Sequence, residues 1–338
     1  MSDKLKNTVS EASKVFILTD ENVAPFWLPE VAYWLRCDAA VDIIIKPGEQ
    51  HKNLQTLQRI WKTLMKHHAD RNALLINLGG GVVTDLGGFA ASTYKRGIKF
   101  INVPTTLLAM VDAAIGGKTG IDFGGAKNQI GTFANPEEVL IDHVFLETLP
   151  LRHILSGLAE MLKYGFIADS KLLEINLDNY RDYIVHCGEI KRKIVAQDPM
   201  EKDLRKILNF GHTIGHAIES HCLTTAHQLL HGEAVALGMY AALWLSVQQY
   251  GLDKKVLQSF EKQLPILLSE SEVMLSDADI EPILSYLVHD KKNKGDKMQF
   301  VLLESLGKPV WDVEVEMEQA RLSLESTITI NNNKVSSR

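Results

Sequence analysis

Short apolar runs alternate with helical patterns through the first 149 residues, and this alternation constrains the fold more than any other feature of the sequence. Segments with helical periodicity, such as residues 53–68, separate the runs KVFILTD, VDIIIK, ALLINLGGG, IKFINVPTT and EVLID. Strand-like runs that alternate with helices are typical of an α/β unit with a largely parallel sheet. We therefore predict an α/β domain over residues 1–149.

The pattern changes near residue 150, where long stretches of helical periodicity begin. They cover residues 151–166, 182–195, 204–220 and 231–248, and they predict a helical second domain over residues 150–338. The late apolar run MQFVLLESLGKPVWDVEV is a candidate strand or hairpin within that domain. We expect the polar tail TITINNNKVSSR to be frayed.

The composition excludes several classes of protein. With 338 residues, 46% apolar and 23% charged, the chain can bury the cores of two domains. Its net charge of −6 argues against a nucleic-acid or anionic-membrane binder. The three cysteines form no C-x-x-C pair, and no apolar run is long enough to span a bilayer. We expect a cytoplasmic protein without a nucleic-acid or membrane partner.

A glycine-rich turn follows one predicted buried strand, in LLINLGGGVVTDLGGF. Gly79 and Gly81 match the first two positions of G-x-G-x-x-G, but Thr84 stands at the third. In that motif, backbone N–H groups at a helix N-terminus approach a pyrophosphate. The alternative is a tight turn that needs glycine only for its backbone conformation.

A second glycine-rich stretch, IGGKTG, resembles the end of a phosphate-binding loop. Asp112 stands where the first glycine of a Walker A motif is required, which disfavours nucleoside-triphosphate cleavage. Lys118, with Lys127 and Asn128 in the following GGAKN, is predicted to hold an anion. The alternative is that these are ordinary loop residues.

Four histidines and a carboxylate in the second half are candidates for a metal site. His212 and His216 lie four residues apart on one predicted helix, His227 and His231 repeat that spacing, and Glu160 lies among apolar neighbours. Two histidines and one carboxylate leave an open position on zinc, and the absence of H-E-x-x-H argues against a common zinc peptidase. Taken singly, each histidine also fits an ordinary core or surface position.

The charged residues near these histidines have two interpretations. Lys163 follows Glu160 by three residues, so the two form either a buried, compensated carboxylate or an exposed ion pair. Glu233, beside His231, is a second carboxylate. The remaining charged or polar residues belong either to the same site or to a solvated helix face, and they are Lys191, Glu201, Arg205 and Asn209.

The motifs, taken in order, resemble those of the 3-dehydroquinate synthase family of sugar-phosphate cyclases. They are GGGVVTDLGGF, RGIKFINVPTTLLAMVDAAIGGKTGID, AKNQIGTF, GLAEMLKYG, LRKILNFGHTIGHAIE, HGEAVALGM and DKKNKG, and they span residues 79–295. The resemblance implies a Rossmann-like α/β NAD-binding domain, an all-α metal- and substrate-binding domain, an active site in the cleft between them, and a homodimer.

The resemblance also implies a reaction. A lyase of the shikimate pathway, which leads to chorismate and the aromatic amino acids, would convert 3-deoxy-D-arabino-heptulosonate 7-phosphate into 3-dehydroquinate and phosphate. The implied steps are transient oxidation by NAD⁺, β-elimination of phosphate, re-reduction and an intramolecular aldol closure. A ketone acidifies the neighbouring C–H and so makes the elimination possible, and zinc serves as a Lewis acid.

Residue roles are carried over position by position. The implied zinc ligands are Glu160, His212 and His231, a set that also accommodates Co²⁺. The implied NAD contacts are Asp20, Asn22, Glu49, Lys52, Gly79, Gly80, Gly81, Asp85, Thr105, Thr106 and Lys127. The implied substrate contacts are Arg96 from the other subunit, Asp112, Lys118, Asn128, Lys163, Lys191, Arg205, Asn209, His216 and Lys291, the last chosen from the Lys291–Lys292 pair. The implied catalytic residues are Glu201 and His216 as proton acceptors, with Lys163 and Asp112, although the departing phosphate is an alternative base. His227 receives no role.

Five positions depart from the family pattern, namely Asp122, Gly124, Gly125, Pro199 and Asp203. The charge of Asp203, two residues from Arg205, is expected to weaken binding of the substrate carboxylate. Three alternatives stay open: another sugar-phosphate cyclase, a metal-dependent polyol or glycerol dehydrogenase, and a binding module without catalysis. Lys118, Lys191 and Arg205 favour a carboxylated substrate, and Glu160 stands where the dehydrogenases usually have aspartate.

Overall fold

The structure, a computed structural model, describes residues 3–124, 126–223, 225, 228–288 and 298–333. Contacts between Cα atoms divide the chain into two compact units, Met1–Leu149 and Pro150–Arg338. Among the described residues, none of the helices combines the length and the apolar character that crossing a bilayer requires.

The first unit contains a parallel four-stranded sheet flanked by helices. Its elements are α1 (Asp3–Ser10), β1 (Val15–Asp20), α2 (Ala24–Trp34), β2 (Val41–Ile45), α3 (Leu54–Lys66), β3 (Leu74–Gly79), α4 (Gly81–Thr93), β4 (Lys99–Pro104), β5 (Lys118–Phe123) and β6 (Ala126–Phe133). The strand order is β2-β1-β3-β4, with all three pairs parallel. The four strands predicted from KVFILTD, VDIIIK, ALLINLGGG and IKFINVPTT are confirmed.

The fifth predicted strand, EVLID, forms only in part. Val139 makes an isolated parallel bridge to Asn102, and backbone hydrogen bonds join Glu137 to Phe100 and join Glu138 and Leu140 to Asn102. The chain turns away immediately afterwards, because the carboxylate of Asp142 accepts the N–H of Val144 and starts a short 3₁₀ turn. Instead, the glycine-rich stretches expected to be loops form the antiparallel hairpin of β5 and β6.

Close packing of α4 on the sheet places the glycine-rich turn. A Cβ atom on Gly87 would lie 1.9 Å from Oδ1 of Asn77, so only glycine allows the helix to approach β3 this closely. Phe16, Leu75 and Leu86 lie in the core that results. The N-terminus of α4 is thereby held at the carboxyl end of β3.

The second unit is helical apart from one hairpin. Its elements are α5 (Leu151–Ile167), α6 (Ile184–Gln197), α7 (His212–Cys222), α8 (His231–Tyr250), α9 (Lys254–Leu267), α10 (Ile280–Val288), β7 (Met298–Ser305), β8 (Lys308–Val315) and α11 (Met317–Asn333). Helix α8 is apolar on nearly every side and is buried against α5, α7, α9, α11 and β7. The hairpin predicted from the late apolar run is confirmed, and it is the exception to an all-α unit.

Two predictions about helices in this unit are wrong in part. Residues 204–220 do not form one helix, because Gly211 has a φ of +79° and separates a 3₁₀ turn (Leu204–Asn209) from α7. Residues 327–333 of the polar tail are helical rather than frayed, and residues 334–338 of that prediction lie outside the described residues. Ala320, Leu324 and Ile328 recur every four residues on one buried face of α11, and this apolar stripe holds the polar tail in place.

Candidate active site

Three helices of the second unit bring one carboxylate and two imidazoles together. Glu160 of α5 is fully buried. His212 is the first residue of α7 and His231 the first of α8. The Nε2 atoms of both histidines lie 3.5 Å from the same oxygen, Oε1 of Glu160. The predicted ligand set therefore converges on one point.

These distances fit a tetrahedral metal site. Ligands bound to zinc at about 2.0–2.2 Å with tetrahedral angles lie about 3.4 Å from one another. That separation is too long for a good hydrogen bond and matches the 3.5 Å observed from Glu160 to each histidine. One carboxylate oxygen and two imidazole nitrogens are also a donor set that zinc and cobalt accept.

His216 lies beside this cluster rather than apart from it. Its ring centroid is 5.1 Å from that of His212 and 5.6 Å from that of His231. Each of these three histidines offers a ring nitrogen within 4.8 Å of the others. The structure therefore brings together the two histidines predicted as ligands and the one predicted to bind substrate.

Hydrogen bonds on the far side of each ring orient the histidines. Nδ1 of His212 donates to the carbonyl of Phe210 at 3.1 Å, since a carbonyl only accepts. Nδ1 of His231 lies 3.3 Å from Oε2 of Glu219, a buried carboxylate on α7 that sequence reasoning missed. Burial lowers the pKa of His231, but the carboxylates of Glu219 and Glu160 outweigh burial and raise it to about 9.

Lys163 and Glu233, the other charged residues considered with this cluster, are both buried. Lys163 and Glu160 form a buried ion pair, with Nζ 2.5 Å from Oε2, so the alternative of an exposed pair is wrong. Glu233 is also buried, but it accepts hydrogen bonds from Arg152 at 2.7 and 2.8 Å and from the N–H of Leu230 at 2.7 Å. It therefore caps α8.

A tight loop ahead of α7 holds Arg205. The carboxylate of Asp198 accepts the backbone N–H groups of Lys202, Asp203 and Arg205. The buried guanidinium of Arg205 donates to the carbonyl of Pro199 at 2.6 Å. Pro199, one of the unusual residues, thus orients Arg205 through its backbone.

Two further contacts involve the same loop. Asn209 donates to Oε1 of Glu201 at 2.6 Å, so these two predicted residues form a pair. The indole N–H of Trp311 on β8 donates to Oδ1 of Asp203 at 3.1 Å, a contact that the sequence did not predict. Lys191 is buried on the neighbouring α6.

In the first unit, several predicted NAD contacts follow the carboxyl ends of neighbouring strands. Asp20 ends β1 and accepts the N–H groups of Asn22 and Val23. Gly79 ends β3, and Thr105 follows β4 and donates its N–H to the carbonyl of Gly79. The connections leave β1 and β3 in opposite directions, so the crevice between them is a topological switch point, where open α/β sheets bind ligands.

The glycine turn itself is crowded. A Cβ atom on Gly79 would lie 2.6 Å from the side chain of Val83, and one on Gly80 would lie 2.9 Å from Cγ2 of Thr106. Helix α4 starts at Gly81, so its free N–H groups point out of this turn. Packing against Val83 and Thr106 therefore accounts for Gly79 and Gly80, and the phosphate-binding interpretation stays a prediction.

Lys52, which is itself buried, joins several predicted residues of the first unit into one cluster. Its ammonium donates to Asp85 and to Oδ1 of Asn128, both at 2.6 Å. Lys127 binds Glu49 at 3.0 Å. Burial lowers the pKa of Lys52, but Asp85 and Glu49 raise it by more, and the cation persists. The unusual Asp122 accepts the N–H of Asn128 and so supports the hairpin turn.

The remaining residues named from the sequence lie elsewhere in the first unit or outside the described part of the chain. Lys118 is exposed at the start of β5, Asp112 lies in a single π-helical turn (Ala109–Ala113), and Arg96 is exposed with a φ of +68°. The two residues Lys291 and His227 lie outside the described part of the chain.

Comparisons with known proteins identify the family of the chain. The family model for the 3-dehydroquinate synthase N-terminal domain matches residues 42–156, and the model for the C-terminal domain matches residues 157–293. A 3-dehydroquinate synthase of Clostridium tetani (strain Massachusetts / E88) is 40% identical over 331 residues, which are 95% of this chain and 87% of that protein.

Two solved structures of sugar-phosphate cyclases are also similar. A 2-deoxy-scyllo-inosose synthase complexed with carbaglucose-6-phosphate, NAD⁺ and Co²⁺ is 25% identical, with a TM-score of 0.83 over 96% of this chain and 95% of that one. The 2-epi-5-epi-valiolone synthase of Streptomyces hygroscopicus subsp. jinggangensis 5008, with NAD⁺ and Zn²⁺ bound, is 26% identical, with a TM-score of 0.83 over 94% and 91%. The chain belongs to the 3-dehydroquinate synthase family.

Proposed function

We propose that the chain converts 3-deoxy-D-arabino-heptulosonate 7-phosphate into 3-dehydroquinate and inorganic phosphate, as a carbon–oxygen lyase. The observation that carries this proposal is the convergence of Glu160, His212 and His231, with buried cations in the same unit. About 40% identity to a 3-dehydroquinate synthase over nearly the whole chain supports the same reaction.

Two groups would be bound by residues described above. Glu160, His212 and His231 hold a divalent metal, and the residues around the glycine turn and Lys52 hold NAD. When bound, NAD accepts and returns a hydride, and the metal polarises the hydroxyl that is oxidised. The NAD site comprises Asp20, Asn22, Glu49, Lys52, Gly79, Gly80, Gly81, Asp85, Thr105, Thr106 and Lys127.

Buried cations suit a substrate that carries a carboxylate and a phosphate. Lys163, Lys191 and Arg205 are each buried to more than nine-tenths, so water screens their charges poorly. Arg205 is held by Pro199 and offers further donors to a carboxylate. The other proposed substrate residues are Arg96, Asp112, Lys118, Asn128, Asn209, His216 and Lys291.

Proton transfer is assigned to Glu201 and His216, with the departing phosphate as the alternative base. The hydrogen bond from Asn209 holds the carboxylate of Glu201 in one orientation. The ring of His216 lies beside the ligand histidines, within reach of a substrate at the metal. We also propose a cytoplasmic homodimer in which Arg96 contributes to the partner's site.

Phosphate release separates this proposal from its rivals. Purified protein with zinc and catalytic NAD⁺ should release phosphate from the heptulosonate phosphate and not from glucose 6-phosphate or sedoheptulose 7-phosphate. A cyclase whose sugar-phosphate substrate lacks the carboxylate would reverse that selectivity. A polyol dehydrogenase would instead accumulate NADH during turnover. A binding module would release no phosphate under any of these conditions, and Glu160→Gln provides the inactive control.

A further inference from the structure

Glu219 is a buried carboxylate that the proposed reaction does not use. It lies on α7, two turns after His212, and only 3% of its surface is exposed. A buried carboxylate is costly unless hydrogen bonds or cations compensate it. Its Oε2 lies 3.3 Å from Nδ1 of His231 on α8. The side chain therefore joins two helices at the metal cluster.

The imidazole of His231 lies between two carboxylates. Its Nδ1 faces Glu219, and its Nε2 lies 3.5 Å from Glu160. A neutral imidazole has one N–H donor and one lone pair. If Nδ1–H donates to Glu219, the lone pair is on Nε2, which is the nitrogen that faces the metal position. The carboxylate thus selects the tautomer that can bind a metal.

His212 reaches the same tautomer in a different way. Its Nδ1 donates to the carbonyl of Phe210, two residues earlier in the chain, so its orientation is local. His231 is anchored instead by a side chain from another helix. Its side chain is 27% exposed, against 10% for His212, and it has more room to rotate without an anchor. The orientation of His231 therefore depends more strongly on its partner.

We infer that Glu219 is the positioning residue of this metal site and holds His231 so that Nε2 faces the metal. The inference rests on the proposed ligand set. A carboxylate behind a ligand histidine also makes the ring a stronger donor than a carbonyl does, and loss of such a partner costs roughly 10- to 100-fold in metal affinity.

Zinc affinity provides the test. Metal-free protein is titrated with zinc in competition with a chromophoric chelator, and Glu219→Gln should bind roughly 10- to 100-fold more weakly than wild type. The matched control is Asp279→Asn. Oδ1 of Asp279 lies 2.8 Å from Nε2 of His221, which is on α7 like Glu219 but is not a proposed zinc ligand. Asp279→Asn should therefore leave zinc affinity unchanged. Thermal unfolding of both metal-free variants measures any general loosening of α7.

The outcomes distinguish the inference from the proposed function. If Glu219→Gln binds zinc like wild type while Glu160→Gln does not bind it, the positioning role is wrong and the ligand set stands. If Glu160→Gln also binds zinc like wild type, the ligand set itself is wrong. If Glu219→Gln fails to fold, the proton NMR spectrum of the zinc-loaded wild type decides the question. A protected Nδ1–H resonance of His231 supports the inference, and its absence overturns it.

Discussion

The ammonium of Lys163 lies 2.5 Å from Oε2 of Glu160, one turn away on α5, and both side chains are buried. The other oxygen of Glu160 lies 3.5 Å from Nε2 of both proposed ligand histidines, His212 and His231. One carboxylate thus faces a fixed cation on one side and the metal position on the other. Because the same carboxylate takes part in the ion pair and faces the metal position, a bound metal ion should affect the stability of α5.

Replacing Lys163 with methionine should destabilise the metal-free protein. Removing one partner of a buried ion pair leaves the other charge uncompensated, which typically costs roughly 3–5 kcal/mol. Zinc should then stabilise the variant more than it stabilises wild type, because the ion supplies the missing positive charge. Thermal unfolding with chelator and with zinc measures both effects. Equal melting temperatures of the two metal-free proteins would show that the pair contributes nothing.

The three clustered histidines should differ in their effect on metal content. His212→Ala and His231→Ala should lose bound zinc, because each removes a proposed ligand. His216→Ala should keep zinc and lose roughly 100-fold or more in turnover, the usual effect of removing a proton-transfer group. Elemental analysis and phosphate release measure the two properties. Loss of zinc from His216→Ala would instead indicate a site that uses all three histidines.

Spacing along the chain predicts contacts within one helix and fails for contacts between helices. The four-residue separation of His212 and His216 predicts adjacent rings, and their centroids lie 5.1 Å apart. Glu219 is on the same helix, but its importance depends on where α8 begins, which no local pattern encodes. The sequence shows only that Glu219 lies seven residues, about two helical turns, after His212, and this spacing alone does not distinguish a buried carboxylate from an exposed one.

The same limit explains the errors in the fold. The strand runs of the parallel sheet are confirmed because their apolar residues are contiguous. The hairpin of β5 and β6 was missed because its glycines resemble loop residues. In the folded protein they permit close strand approach, since a Cβ atom on Gly131 would lie 2.1 Å from the carbonyl oxygen of Thr119.

Gly80→Ala should weaken NAD binding selectively. The new Cβ would lie 2.9 Å from Cγ2 of Thr106, a proposed NAD contact. The free variant can relieve the clash by moving Thr106, but NAD binding would require that side chain in its wild-type position and so would carry the overpacking cost of roughly 1–3 kcal/mol. Since about 1.4 kcal/mol is a tenfold change in affinity, a loss of about tenfold is expected. Calorimetric titration with NAD⁺ measures it. Thr106→Ser removes the obstructing methyl group, and the double variant should recover affinity. Failure to recover would place the cause elsewhere.

Asp203→Asn and Asp203→Gly separate the charge of Asp203 from its hydrogen bond. Asparagine removes the charge and keeps an oxygen for Trp311, whereas glycine removes both. The side chain is exposed, so water screens its charge, and Asp203→Asn should change the KM of the heptulosonate phosphate by less than about threefold. Asp203→Gly should lower the melting temperature. A tenfold fall in KM for Asp203→Asn would mean that the charge does oppose substrate binding.

Asp198→Asn should weaken substrate binding by releasing the loop that holds Arg205. The wild-type carboxylate accepts three backbone N–H groups, whereas an amide has one acceptor oxygen and presents its own N–H groups to the loop. We expect the KM of the heptulosonate phosphate to rise roughly tenfold at neutral pH, since hydrogen bonds to a charged acceptor are the stronger kind. Initial rates of phosphate release measure it.

The pH dependence of KM tests the same contacts. Burial raises the pKa of Asp198, but the three backbone N–H groups lower it by more, to below its ordinary value of 3.8. Because the pKa of Asp198 is lowered in the folded protein, its ionised carboxylate stabilises the loop fully above the ordinary pKa. This stabilisation is lost only as the pH falls through the lowered pKa. Asp198 should therefore cause no change in KM between about pH 5 and pH 8. The ratio of the KM of Asp198→Asn to that of wild type should stay constant over this range, and a ratio that falls towards about pH 5 would contradict the assignment.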